Sequence, residues 1–174
     1  MRIFSIGHGT RPFDDLVETL ASGPATQVVD VRSFPGSRHN PQFGRELLGE
    51  ELAGAGVAYE WLPALGGRRR NHPGPSPNPA WRVDAFRAYA DYMDAPEFLA
   101  GIEALLALAG AQPTAFMCAE SYWAQCHRRL ISDKLWSLGH EVIHLLTPTR
   151  SEPHHPPPFL RVDGDRLRYD LAAG

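Results

Sequence analysis

Short apolar runs alternate with amphipathic segments along most of the chain. Several compact runs have the length of buried strands, and they lie at residues 2–6, 27–32, 57–62, 114–118 and 141–146. Between them, apolar residues recur at helical spacing over residues 13–20, 45–55, 86–93, 96–109 and about 121–138. This alternation predicts an α/β fold, in which a mostly parallel sheet carries helices on both faces.

The pattern changes in the last part of the chain. Residues 153–158 are rich in proline and predict a linker. Residues 159–169 alternate on either side of Asp163-Gly164, which predicts a C-terminal β-hairpin. We therefore expect an α/β domain over residues 1–150, followed by residues 151–174 as a linker and a hairpin tail that packs on the same domain.

Residues 66–79 lack the periodicity of either a strand or a helix. The segment contains four prolines and three adjacent arginines, Arg68, Arg69 and Arg70. It predicts a long surface loop, placed as a lid over a functional site. The arginine run is either a solvated surface patch or a clamp on a phosphate backbone.

The composition narrows the class of protein. A length of 174 residues suits one domain with a full hydrophobic core. The net charge of −3 argues against strong, sequence-independent binding of polyanions, although it permits a local basic site. Two cysteines are too few for a disulfide framework, and no apolar run has the length of a membrane span. We therefore expect a cytoplasmic protein that does not associate with a membrane.

Reactive side chains are densest between residues 114 and 129. This stretch holds both cysteines, Cys118 and Cys126, together with Glu120, His127 and Arg128. The predicted strand ends at Cys118 and the predicted helix follows it. In an open α/β sheet this is the edge where ligands bind, because loop amides and helix N-termini point there.

Two other predicted strands also end in polar residues. His8 follows the first strand, and Asp30 and Arg32 lie at the end of the second. If these strands are parallel to the strand before Cys118, their carboxyl ends share one edge of the sheet. We therefore expect His8, Asp30, Arg32 and Cys118 to meet there.

The candidate catalytic residues are Cys118, Glu120, His8 and His127. A helix N-terminus and nearby cations favour the thiolate form of Cys118, which would make it reactive. The alternative is a buried cysteine that only packs. Glu120 is either a general acid or base or a helix cap, and the histidines are candidate proton carriers.

Candidate substrate-binding residues surround this group, and we list them as Asp30, Arg32, Ser33, Arg38, Trp123 and Arg128. A guanidinium offers a planar fork that holds an oxyanion through two hydrogen bonds. Alternatively, Asp30 forms a buried structural pair with Arg32 or Arg128. Trp123 is either a stacking platform for a base or a residue of the core or its rim.

The combined motifs resemble a known family. Ser5–Thr10, Asp30–Arg38, Leu65–Gly67, Cys118–Glu120 and Cys126–Arg128 look like the family called domain of unknown function 488, over residues 1 to about 146. The resemblance implies a shared fold and a shared polar site, but no established reaction. The residues that fall on the family pattern are His8, Asp30, Arg32, Cys118, Glu120, Cys126, His127 and Arg128.

A weaker likeness is to rhodanese-type domains, which also place Asp-Val-Arg after an early strand and a cysteine after a later one. Here Glu120 lies inside the loop after Cys118, where a carboxylate would repel thiosulfate or phosphate. Sulfur transfer is therefore an analogy at the level of the fold only.

Three functional hypotheses follow. The first is an enzyme that acts on a phosphate-bearing nucleotide or nucleic-acid substrate through the Cys/Glu/His/Arg group. The second is a non-catalytic module that binds nucleic acid through the arginine loops and Trp123. The third is a metal-binding protein that uses Cys118, Cys126 and His127, with His8 as a further ligand. The sequence identifies no cofactor and no oligomeric state, and the expected partner is an anionic small molecule or a nucleic acid.

Overall fold

A six-stranded sheet runs through the centre of the molecule. The computed structural model describes residues 1–36, 38–71 and 73–172, so Ser37 and His72 of the predicted loops lie outside the described residues. The strands are β1 Arg2–Gly7, β2 Gln27–Asp30, β3 Ala58–Trp61, β4 Thr114–Cys118, β5 Glu141–Thr147 and β6 Arg150–Pro153. Their order is β3-β2-β4-β1-β5-β6, and only the β5–β6 pairing is antiparallel. The predicted mostly parallel sheet is confirmed.

Helices cover both faces of this sheet, as the sequence predicts. They are α1 Phe13–Ser22, α2 Arg45–Gly54, α3 Asp84–Tyr92, α4 Pro96–Ala111 and α5 Arg128–Ser137. One core contains residues of α1 and α2, and the other contains residues of α3, α4 and α5. Successive residues of β4 alternate between the two cores, since Ala115 and Met117 belong to one and Phe116 to the other.

The C-terminal hairpin is also confirmed. Strand β7, Leu160–Asp163, pairs antiparallel with strand β8, Arg166–Tyr169. The turn contains Gly164 with a φ of 62°, a conformation that glycine adopts at little cost. The Tyr169 hydroxyl donates to Asp133 of α5 over 2.8 Å, which ties the hairpin to the helical layer.

The helix predicted from about residue 121 begins later, at Arg128. Residues 121–127 instead form a loop that contains a 3-10 turn, Trp123–Gln125, and Cys126 is extended with a φ of −136°. The Trp123 ring turns inward and stacks on His144 with a centroid separation of 4.1 Å, which draws this stretch off a helical path. Cys126 and His127 therefore lie in a loop above the sheet edge and not on the helix.

The predicted linker over residues 153–158 is wrong at its start. Pro153 ends β6, which pairs with β5 at the edge of the sheet. The sequence of this strand, Arg-Ser-Glu-Pro, lacks the apolar alternation that marks a strand. Such alternation is not needed here, because no residue of the strand is fully buried. Within the described residues, no helix is both long and apolar enough to cross a bilayer.

The close approach of β1 to the loop after β4 depends on Gly7. Gly7 pairs with Cys118 at the carboxyl ends of the two strands. A Cβ at Gly7 would lie 1.9 Å from the Glu120 carbonyl oxygen and 2.7 Å from Arg128 Nη2. Only a residue without a side chain lets the strand end and this loop meet.

We therefore expect Gly7→Ala to lower the free energy of unfolding by about 1–3 kcal/mol or more, because the added methyl group meets backbone. Gly110→Ala is the matched control, since Gly110 lies in α4 and a Cβ there would meet nothing within 4 Å. That change should be neutral or stabilising by up to about 1 kcal/mol. Urea unfolding of both variants measures the contrast, and equal effects would contradict the proposed close approach.

Candidate functional site

A pocket opens at the carboxyl edge of the sheet, where β2 and β4 end. Its volume is about 280 Å³. Its floor contains Cys118, Cys126 and His127, and its wall includes Arg32 and the loop residues 33–34 and 67–68. Parallel strand ends therefore do bring chemically reactive side chains to one place, which is the usual location of a ligand site in this class of fold.

Arg32 and Asp30 form a buried ion pair behind the pocket wall. Arg32 Nη2 lies 2.6 Å from Asp30 Oδ2, and Nε lies 2.8 Å from Oδ1. Arg32 Nη1 donates to the Phe43 carbonyl oxygen over 2.8 Å, and the Tyr59 hydroxyl donates to Asp30. The structure therefore fits the alternative in which Asp30 and Arg32 form a buried structural pair, although Arg32 also lines the pocket.

His8 is buried behind Arg32. Its Nδ1 lies 2.8 Å from the Gly9 carbonyl oxygen, which can only accept, so Nδ1 carries the proton. Its Nε2 then accepts from Arg32 Nη1 over 3.2 Å. Burial is the main reason that the pKa of His8 falls to about 4, so the ring is neutral at neutral pH with both nitrogens engaged.

Arg128 lies beneath Cys118 and is almost completely buried. Its Nε donates to Cys118 Sγ over 3.0 Å, Nη1 to Ser5 Oγ over 3.0 Å, and Nη2 to the Glu120 carbonyl oxygen over 2.7 Å. Among the residues that the structure describes, no carboxylate forms an ion pair with this guanidinium. Burial lowers the pKa of Arg128 to about 9. The positive charge therefore faces the Cys118 sulfur and is placed to stabilise negative charge on it when Cys118 is reduced.

Cys126 and His127 complete the floor of the pocket. The sulfurs of Cys126 and Cys118 lie within bonding contact, while the two Cα atoms are 7.6 Å apart. His127 Nε2 lies 2.7 Å from the Val31 carbonyl oxygen, which means that Nε2 carries the proton. The free lone pair of Nδ1 is then 3.5 Å from Cys126 Sγ. Burial lowers the pKa of His127 to about 4, so the ring is neutral.

The pocket mouth is polar and partly aromatic. Glu120 is exposed there, and the Ser33 Oγ accepts a hydrogen bond from the backbone N–H of Arg68 over 3.0 Å. Phe34 lies in the wall with 70% of its surface exposed, and the Arg68 guanidinium lies 5.5 Å from its ring centroid. Phe34 was not among the residues predicted for the site, although an aromatic residue next to Pro35-Gly36 in the loop after β2 was a usable signal.

Five of the candidate residues do not line the pocket. His8, Asp30 and Arg128 are buried behind or beneath its lining, whereas Trp123 and Arg38 lie farther from it. Trp123 is buried, stacks on His144, and donates from its ring nitrogen to Glu152. Arg38 is exposed on the loop after β2 and does not line the pocket. The structure therefore brings Cys118, Glu120 and His127 together, but not Trp123 or Arg38 with them.

The three adjacent arginines have three different surroundings. Arg68 lines the pocket. Arg69 packs over the Tyr92 ring at 3.6 Å and donates to the carbonyl oxygens of residues 63, 64 and 66. Arg70 is exposed and does not line the pocket. Of the three, only Arg68 is placed to contact a ligand in this pocket.

A buried polar chain that the sequence did not reveal runs from Ser5 to α5. Ser5 Oγ lies 3.0 Å from His144 Nδ1, and His144 Nε2 lies 3.1 Å from His154 Nδ1. His154 Nε2 then meets Asp133 Oδ1 at 2.7 Å. Because Ser5 also accepts from Arg128, this chain supports the guanidinium beneath Cys118.

Comparisons with known proteins add the family. A family model described as "Domain of unknown function DUF488" matches residues 12–135, which is well over half of the chain. The matched span includes both cysteines, Glu120, His127 and Arg128, but not His8. Neither a curated protein nor a solved structure matches the chain.

Acid is expected to destabilise the fold through His144. Burial lowers the pKa of His144 from 6.5 to about 2, with His154, Arg128 and His155 adding to the effect. The unfolded chain therefore binds more protons below about pH 6.5. The stability contributed by the neutral ring is fully present above that pH and falls by about 1.4 kcal/mol per pH unit as the pH drops.

Urea unfolding at several pH values between about 7 and 5 measures this slope. His144→Gln keeps polar atoms in the strand but cannot titrate, so it should show a smaller slope. His39→Gln, at an exposed position that does not act on His144, should keep the original slope. An identical slope in the parent protein and in His144→Gln would refute the assignment.

The Asp30–Arg32 pair gives a second prediction. Asp30→Asn leaves a buried guanidinium without its carboxylate, and we expect the free energy of unfolding to fall by about 3–5 kcal/mol. Asp84→Asn is the matched control, because Asp84 pairs with Arg87 at the surface. It should cost less than about 1 kcal/mol. Urea unfolding measures both losses of free energy. Similar losses in the two variants would show that the buried ion pair stabilises the fold no more than the surface pair does.

Proposed function

Since the chain belongs to the family described as domain of unknown function DUF488, whose description assigns no reaction, we propose from its pocket that it is an enzyme acting on a phosphate-bearing nucleotide or nucleic-acid component. One observation carries the proposal. The same pocket joins an arginine and an exposed aromatic ring in its wall to two sulfurs and an imidazole in its floor. This combination suits recognition of a nucleotide followed by chemistry on it.

The wall supplies groups for an anion. The guanidinium of Arg68 is exposed at the mouth, so it is free to meet a phosphate at little desolvation cost. The Ser33 hydroxyl lies beside it and can still donate its own proton. Hydrogen bonds between charged donors and phosphate oxygens are among the strong polar contacts in proteins.

The aromatic rings supply a surface for a base. Phe34 and Phe86 both line the pocket, and Phe34 is the more exposed of the two. Stacking of a base on such a ring contributes about 1–3 kcal/mol and tolerates different bases. The pocket volume of about 280 Å³ suits a small ligand and not a folded macromolecule.

The floor supplies the reacting centre. Cys118 lies over the Arg128 guanidinium, which favours a negatively charged sulfur there. The exposed carboxylate of Glu120 at the mouth can accept or return a proton, in the role of a general acid or base. Arg32, Asp30 and His8 hold the wall behind this centre through their mutual hydrogen bonds.

The binding half of the proposal is tested with Arg68→Ala and the four ribonucleoside 5′-monophosphates, measured by isothermal titration calorimetry. Losing a charged hydrogen bond should weaken binding of the best monophosphate by at least about 10-fold. Arg70→Ala is the control, because it removes the same charge from a neighbouring exposed position outside the pocket. It should leave the affinity within about twofold.

Equal losses in the two arginine variants would mean that only overall charge matters. No binding of any of the four nucleotides to the parent protein would reject the proposed substrate class.

The chemical half is tested by incubating the protein with nucleoside phosphates and short oligonucleotides, with products identified by mass spectrometry. We expect Cys118→Ala to abolish turnover and Glu120→Gln to lower it by about 100-fold or more. Circular dichroism checks that both variants fold. Turnover that is unchanged in both variants would remove the catalytic interpretation.

A further inference from the structure

We propose that Cys118, Cys126 and His127 bind a thiophilic divalent cation, with Zn²⁺ as the best fit, at the floor of the pocket. A role of this cation in a reaction rests on the proposed function. Binding of the cation itself is measured without any substrate. The three donor atoms come from the end of β4 and from the loop before α5. They all lie within 4.8 Å of one another.

The orientation of His127 supports a ligand role. Its Nε2–H donates to the Val31 carbonyl oxygen over 2.7 Å, so Nδ1 presents its lone pair toward the two sulfurs. Metal-binding histidines commonly donate their second ring N–H to a carbonyl or carboxylate in this way, because the bond fixes both the tautomer and the ring plane.

The two sulfurs are supported in the same manner. Arg128 donates to both, from Nε to Cys118 Sγ over 3.0 Å and from its backbone N–H to Cys126 Sγ over 3.4 Å. The Cα atoms of the two cysteines are 7.6 Å apart, beyond the separation of about 4.4–6.8 Å that disulfides usually span. Once the two sulfurs are reduced and separate from their bonding contact, they and the imidazole remain close enough to reach one shared cation.

The charges of the ligands match that of the cation. Two thiolates neutralise a divalent cation, which leaves the Arg128 guanidinium to be stabilised by its hydrogen bonds to Ser5 and to the Glu120 carbonyl oxygen. Both cysteines are buried, yet they and His127 line the pocket. A fourth coordination position would therefore face the pocket, as in catalytic zinc sites with three protein ligands. A cation placed there could polarise a phosphate oxygen of the substrate.

The test uses the full chain, reduced and then freed of metal with a chelator. Titration with Zn²⁺ against a chromophoric chelator should give about one site per chain. Co²⁺ should produce the charge-transfer and d–d bands of a tetrahedral thiolate complex. X-ray absorption of the zinc form should show two sulfur ligands at about 2.3 Å and one or more nitrogen or oxygen ligands at about 2.0 Å.

Three variants remove one ligand each: Cys118→Ser, Cys126→Ser and His127→Gln. The glutamine can still donate to the Val31 carbonyl oxygen, which separates loss of the ligand from loss of the loop. Each variant should weaken Zn²⁺ binding by at least about 100-fold, since changes in outer-shell partners already cost about 10–100-fold. The control is His155→Gln at an exposed position, which should bind Zn²⁺ as the parent protein does.

Two results would overturn the inference. One is a reduced parent protein that shows no Co²⁺ bands, whether its cysteines are free or reform a disulfide. The other is full Zn²⁺ affinity in the Cys118→Ser and Cys126→Ser variants.

The outcome is separable from that of the proposed function. Arg68→Ala should keep the Co²⁺ spectrum while losing nucleotide affinity. A parent protein with the spectrum but no nucleotide binding would retain the cation site and reject the substrate class. The reverse result would reject only the cation.

Discussion

The buried guanidinium of Arg128 is the constraint on which the rest of the site depends. A charge in the protein interior is costly unless its donors are satisfied and an opposite charge is near. Here the donors reach Ser5 of β1, Cys118 at the end of β4 and the Glu120 carbonyl oxygen. No carboxylate among the described residues pairs with it, and the Cys118 sulfur, which can carry a negative charge when reduced, lies within hydrogen-bonding distance.

Because Arg128 begins α5, the same interaction also positions the loop that carries the other reactive groups. The loop runs from Cys118 to the start of the helix, and its second cysteine and His127 precede Arg128 directly. Because Gly7 has no side chain, this loop can pack against the end of β1. The sheet thus provides a rigid edge, and one buried cation fixes a reactive loop on that edge. Nucleotide recognition and cation binding are both proposals about what this loop and the facing wall can hold.

Much of the fold follows from local pattern. The apolar runs that become β1, β2, β4 and β5 are long enough to be buried on both faces, and helical periodicity separates most of them. Parallel connection of such elements places their carboxyl ends on one edge, whatever the details of packing. The proximity of His8, Asp30, Arg32 and Cys118 could therefore be predicted before any coordinates. The hairpin turn at Asp163-Gly164 is equally local, since glycine at a positive φ is a property of two or three residues.

The sequence by itself thus determined the five parallel strands, the helical layers, the hairpin and the edge at which the reactive side chains gather, but not the antiparallel edge strand β6. Only the tertiary structure decided which of these side chains line the pocket and which are buried in ion pairs or in the core. Trp123 became a core residue because it stacks on His144, which lies on a strand outside the matched family span. Of three adjacent arginines, Arg68 lines the pocket, whereas Arg69 packs over the Tyr92 ring. The physical reason is that burial, tautomer and hydrogen-bond partner depend on groups distant in sequence, and no local pattern records those contacts.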